Sequence, residues 1–317
     1  VYARLTRLKL PRDEAERVEK LLEVPPASIP ALDVVVDAFE LRGKQLGRLE
    51  IEAANRNGSA GREWELSTLN LTVPEARLQA SGTWAAPKLG APRQAAMRFQ
   101  LAVSDSGALL QRLGLGKVVR GGKGTLAGAL AWPGSPLSPD YARMTGDVKI
   151  AIESGQFLKA SPGAARLLGV LSLQSLPRRL LLDFRDVFED GFAFDDVVGD
   201  VAISHGHAAT NNLRMRGPAA AVLMEGSADL ERETQDLRVV VVPEINAGTA
   251  SLAYAVINPA VGLGTFLAQY FLKKPLTAAI TREFQITGPW EDPKVERVQR
   301  RVAAEPAEPA PVADGPR

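Results

Sequence analysis

Between Leu180 and Val242 the chain alternates apolar and polar residues through several consecutive segments, with no helical pattern between them. Leu180, Leu182 and Phe184 alternate with Leu181, Asp183 and Arg185. Val197, Val201 and Ile203 alternate with Val198, Asp200 and Ser204. Leu213 and Met215 sit among Asn212, Arg214 and Arg216; Val222 and Met224 oppose Glu225 and Ser227; Leu237, Val239 and Val241 close the series. A period of two sends successive side chains to opposite faces of a strand. Strands chained in this way build a sheet with one apolar face, and something must cover that face.

The same period recurs upstream. Leu32, Val34, Val36 and Ala38 share a phase, and Leu49, Ile51 and Ala53 alternate with Arg48, Glu50 and Glu52. Trp64 and Leu66 are out of step with Leu69, Leu71 and Val73, which predicts a bulge near Ser67-Thr68. Further alternating runs are Leu78–Trp84, Met97–Val103 and Val148–Ile152. Val1–Leu10 reads as a strand, and Leu276–Gly288 as a last one. Helical patterns cover Arg12–Leu22, Ser106–Leu113, Gly163–Ser175 and Val256–Leu272, while Gly114–Gly124 reads as a flexible connection. The sum is about a dozen strands in direct succession, hence a mainly β fold and an antiparallel meander. So few helices cannot cover that many strands. Either the sheet folds over into a sandwich, or its apolar face stays partly open as a binding surface.

Composition removes several functions. Lys and Arg number 38 against 37 Asp and Glu, a net charge of +1, which argues against nucleic-acid binding. There is no Cys, so disulfides and Cys-based metal sites are excluded, and His205 and His207 are the only histidines. No cofactor is expected. No apolar stretch is long enough to span a bilayer. A start at Val1 points to a fragment or processed form. A low-complexity Ala/Pro tail fills 303–317, leaving 1–302 as one β domain with 1–24 as an incomplete edge.

The motifs that could carry chemistry have plainer explanations. Gly116 to Lys123 does not have phosphate-loop spacing, and Gly124 stands where a Ser or Thr is required. His205-Gly206-His207 reads as a turn at a strand end. Asp183, Asp186, Glu189, Asp190, Asp195 and Asp196 resemble a carboxylate pair site but fall on the polar face or in a turn. The chain is therefore expected not to be an enzyme. Glycine and tryptophan recur at strand ends, in Gly82-Thr83-Trp84, Gly128…Trp132 and Gly288-Pro289-Trp290, as a loose repeat. Val256–Leu272 is apolar on nearly every side; it either plugs the sheet or rests on a membrane surface with Lys273 and Lys274 at the headgroups.

A resemblance rests on Gly155-Gln156-Phe157-Leu158, Pro162–Leu173, Leu176-Pro177-Arg178-Arg179, Leu182-Asp183-Phe184-Arg185-Asp186, Gly191–Asp195 and Ile286–Trp290. In these the chain resembles the C-terminal region of the YhdP family, in the AsmA-like group of bacterial envelope proteins. The resemblance implies a long, curved antiparallel sheet folded like a taco around an open apolar groove, with a few short helices capping or plugging it. It also implies a periplasmic segment of a protein anchored in the inner membrane by a part outside this chain, carrying phospholipid towards the outer membrane. The alternative is a closed β-sandwich that docks an envelope protein. Each buried methylene contributes about 0.8 kcal/mol, so acyl chains would be held without any catalytic group. The residues expected to line the groove are Leu49, Ile51, Leu78, Phe99, Leu101, Val148, Ile150, Leu182, Val201, Leu213, Met215, Val222 and Met224.

Overall fold

The computed structural model describes residues 1–11, 30–58, 61–136, 138–158, 191–243 and 281–298. The expected helices Arg12–Leu22, Gly163–Ser175 and Val256–Leu272, the strand at Leu180–Arg185 and the Ala/Pro tail lie outside these residues.

The strands are β1 (Tyr2–Leu10), β2 (Leu32–Leu41), β3 (Lys44–Gly58), β4 (Gly61–Val73), β5 (Ala76–Ala85), β6 (Gln94–Val103) and β7 (Val119–Pro133). They continue as β8 (Thr145–Phe157), β9 (Phe192–Ser204), β10 (His207–Arg216), β11 (Ala220–Asp229), β12 (Thr234–Pro243), β13 (Arg282–Pro289) and β14 (Lys294–Arg297). All 14 form one sheet in strict sequence order. β1 pairs only with β2 and β14 only with β13, so the sheet is open. The single described α-helix, α1 (Ser106–Arg112), is capped by the Asp105 side chain accepting from the Ala108 N–H.

Three details of the strand inventory differ from the sequence reading. The first pair, β1 with β2, runs parallel rather than antiparallel, which the long connection between them permits. β7 begins at Val119, so half of the glycine-rich connection is strand. Glycine suits it there because Gly121, Gly122 and Gly124 all take positive φ. The third is β14, a short strand that the sequence reading did not include.

Bulges hold the apolar residues to one side. Leu66 opposes Gly82 and Leu69 opposes Ala80, so β4 carries one extra residue at Ser67, as the broken phase required. The Ser67 hydroxyl donates to the Glu52 carbonyl across the gap. β10 carries another between Thr210 and Leu213. Asn212 fills it, its amide bonding both the backbone N–H and the carboxylate of Asp200 at 2.9 and 2.8 Å. A slip between Val36 and Phe39 puts Phe39, not Ala38, in phase with Val36.

Two hairpins turn at Arg42-Gly43 and His205-Gly206, each with positive φ at both central residues. That is the two-residue turn whose twist matches its strands. The histidine pair is thus a hairpin turn, with His205 bonded to its neighbour Ser204.

Candidate functional site

Strand register decides which side chains share a face. One row of directly opposed residues runs Leu49, Leu71, Leu78, Leu101, Leu126, Ile150 and Gly199, from β3 to β9. The next runs Ile51, Leu69, Ala80, Phe99, Gly128, Val148 and Val201. Beyond β9, Val197 opposes Met215, which opposes Val222; Leu213 opposes Met224, which opposes Val239. The register therefore carries every described residue of the expected lining onto one face. Leu182 lies outside the described residues.

That face is not uniform. Ile51, Leu78, Phe99, Leu101, Val148, Ile150 and Val201 are half-buried, as are Leu69, Leu71 and Leu126 beside them. Leu49, Leu213, Met215, Val222 and Met224 are buried, and the last four are packed in one cluster with Leu237, Val239, Val241, Phe284 and Ile286. The half-buried part of the apolar face therefore spans β3 to β9.

The sheet curls towards this face. Leu32 on β2 and Trp132 on β7 line the same cavity of about 200 Å³. They stand five strand steps apart, about 24 Å on a flat sheet. Sharing so small a cavity requires the sheet to bend, with the apolar face inside. Ile51, Leu66, Leu69, Ala95 and Met97 add to the lining, and among the described residues no charged one does. Glycine permits the close approach: a Cβ on Gly128 would lie 2.1 Å from the Asp147 carbonyl oxygen of the next strand. The α1 helix ties the far edge, where Arg112 bonds the Gln45 carbonyl of β3 at 3.1 Å and the Glu75 carboxylate. The guanidinium of Arg112 holds the Glu75 carboxyl below its ordinary range.

All four tryptophans stand at the same edge of the sheet, near the start of β4, the ends of β5 and β7, and just past the end of β13. This gives the loose repeat a structural meaning, since alternate turns return to that edge. Trp64 directly opposes Trp84, Trp84 opposes Ala95, and Ala95 opposes Trp132. Trp132 donates its indole N–H to the Ser135 carbonyl at 2.7 Å, and Trp290 donates to Thr234 at 3.2 Å. The indole N–H groups of Trp64 and Trp84 are buried and meet no acceptor. A buried donor left unpaired costs about 1–3 kcal/mol. The alternation placed Leu32, Trp64, Trp84 and Met97 on apolar faces of their strands, but the expected lining did not include them.

The opposite face is polar between β3 and β8, with Glu50, Arg77, Gln79, Arg98, Gln100 and Lys149. A wider hollow of about 610 Å³ lies mainly on that side, among Glu65, Ser67, Ser81, Thr83, Arg98 and Asp147. Its lining mixes charge and hydroxyls without a nucleophile and base in contact. Of the acidic cluster, Asp195 is exposed and Asp196 pairs with Arg216 at 2.9 Å; the other four lie outside the described residues. Among the described residues, no group of three or more His, Asp or Glu could hold a metal ion.

These features define an open, single-sheet β protein with a curved apolar face. The chain belongs to the YhdP protein family, whose profile matches residues 1–295. The Intermembrane phospholipid transporter YhdP of Escherichia coli K12 is 33% identical to it over 180 residues, which cover 56% of this chain and 14% of that relative. The match thus spans about a seventh of the relative's length. No solved structure matches the chain. The relative is, by its name, a phospholipid transporter.

Proposed function

We propose that this segment holds the acyl chains of phospholipid on the half-exposed apolar face between β3 and β9, as part of a protein that moves lipid between two membranes. The curved sheet is then an open groove. The observation that carries this reading is the double row of opposed residues, Leu71 to Ile150 and Ile51 to Val201, whose large apolar side chains are only half-buried where those of an ordinary core would be fully covered. Family membership and the transporter named among its relatives support it. Leu78, Phe99, Leu101, Val148 and Ile150 contact the chains, with Leu182 as a further contact; Leu213, Met215, Val222 and Met224 form the packed wall behind them. Headgroups remain in water at the open side, so the lipid slides without a polar barrier.

The setting we infer is the periplasm, with an inner-membrane anchor in another part of the protein. The Val256–Leu272 segment with Lys273 and Lys274 is proposed to meet a membrane surface. No catalytic group or cofactor takes part. Among the described residues, no helix is long and apolar enough to cross a membrane.

Native mass spectrometry of the purified chain tests the reading. Phospholipid adducts that disappear in Leu101→Asp with Ile150→Asp are expected. A lipid-free chain that takes up none from phosphatidylethanolamine vesicles would favour the alternative, a scaffold that docks a protein.

A further inference from the structure

We propose that Trp64 and Trp84 form an ester-recognition point on the apolar face, donating their indole N–H groups to the acyl carbonyl oxygens of a glycerolipid. This rests on the groove reading above and deepens it from acyl chains in general to the ester junction of the lipid.

Three observations converge. Trp64 and Trp84 are opposed on neighbouring strands and are only 8% and 3% exposed, yet both N–H groups lack an acceptor. The other two tryptophans on the same edge have carbonyl partners, so among the tryptophans the deficit is confined to this pair. Trp64 lines the apolar cavity, and Trp84 shares a buried cluster with Trp64 and Ala53, against which the cavity residues Leu32 and Leu66 pack. An indole presents an apolar body and one donor, which suits the boundary between hydrocarbon and a polar junction.

The cavity's lining selects the acceptor. Among the described residues it contains no Lys or Arg, so a phosphate would meet no countercharge from them. A neutral ester carbonyl brings an acceptor and no charge. The size agrees: about 200 Å³ is below the range of whole-ligand pockets, so the site takes part of a lipid and not all of it. The acyl chains then run from the tryptophan edge across Leu69, Phe99 and Leu101.

The test compares a diacyl phosphatidylglycerol with its dialkyl ether analogue of equal chain length, each offered to the full chain as single-lipid vesicles. Bound lipid is read by native mass spectrometry. The unaltered chain is expected to prefer the ester form by about tenfold. Trp64→Phe with Trp84→Phe keeps the rings, removes both donors, and is expected to abolish the preference while still binding lipid. Equal binding of ester and ether by the unaltered chain overturns the proposal and leaves the groove reading standing; it needs no variant. A preference that survives in the double variant overturns it too. Binding of neither lipid overturns the groove reading, and this proposal with it.

Discussion

The middle of the sheet and its C-terminal quarter share one pairing pattern but differ in what lies on either side. Around β5 and β6, Leu78, Phe99 and Leu101 are half-exposed on one face, and Arg77, Gln79, Arg98 and Gln100 point from the other. In β11 and β12 both faces are closed. Val222, Met224, Leu237, Val239 and Val241 are buried on one face; Ala221, Leu223, Val240 and Val242 on the other are 0–2% exposed. A strand that is apolar on alternate residues gives a surface, and one that is apolar on successive residues gives a core. The same sheet thus has a closed end and a half-buried stretch, and in the proposed reading the half-buried stretch is the part that offers apolar area to lipid.

The same substitution made in each region should separate the two. Leu237→Ala removes a side chain that is 1% exposed and is expected to cost about 3–4 kcal/mol in denaturant unfolding. Leu101→Ala removes one that is half-exposed and is expected to cost about 1 kcal/mol, while lowering lipid uptake. Equal costs would mean that the middle face is packed as tightly as the end.

The charges divide in the same way. Arg238 lies on the closed outer face, donating to Glu283 at 2.6 Å and Glu225 at 3.3 Å. Burial works against its charge, yet the two carboxylates raise its pKa on balance. Arg238→Met leaves Glu283, 8% exposed, without its main partner and is expected to cost about 2 kcal/mol, with Glu283→Gln recovering part of the loss. In the middle, Arg112→Ala frees α1 from Glu75 and β3 and is expected to cost about 1 kcal/mol.

The smallest effect is with pH. The Glu75 carboxyl is held below its ordinary 4.5, so its contribution is fully present above that value. It is lost as pH falls through the lower, folded-state value. Hydrogen exchange in α1 should therefore quicken on acidification in the unaltered chain. It should be already fast and pH-insensitive, after correction for intrinsic exchange, in Arg112→Ala.

The strands were legible because alternation records which side of each is apolar. Even the bulge at Ser67 was legible, since Leu66 and Leu69 cannot otherwise share a face. The closed end was less so. Val239 and Val241 read as one apolar face, while the intervening Val240 and Val242 carry the second signal, that the other face is covered as well. The parallel β1–β2 pair was hidden because alternation is blind to strand direction. The tryptophan edge was visible as a Gly-Trp repeat, but its cavity depends on the curl that brings β2 towards β7, which no local pattern encodes.

The central claim is that the open middle face, and no other, meets acyl chains. Photo-crosslinking residues placed one at a time at 98, 99, 100, 101 and 239, with lipid present, test it most directly. Labelling is predicted at 99 and 101, with little at 98 and 100 on the polar face or at 239 in the closed core. Equal labelling at 98 through 101 would contradict it.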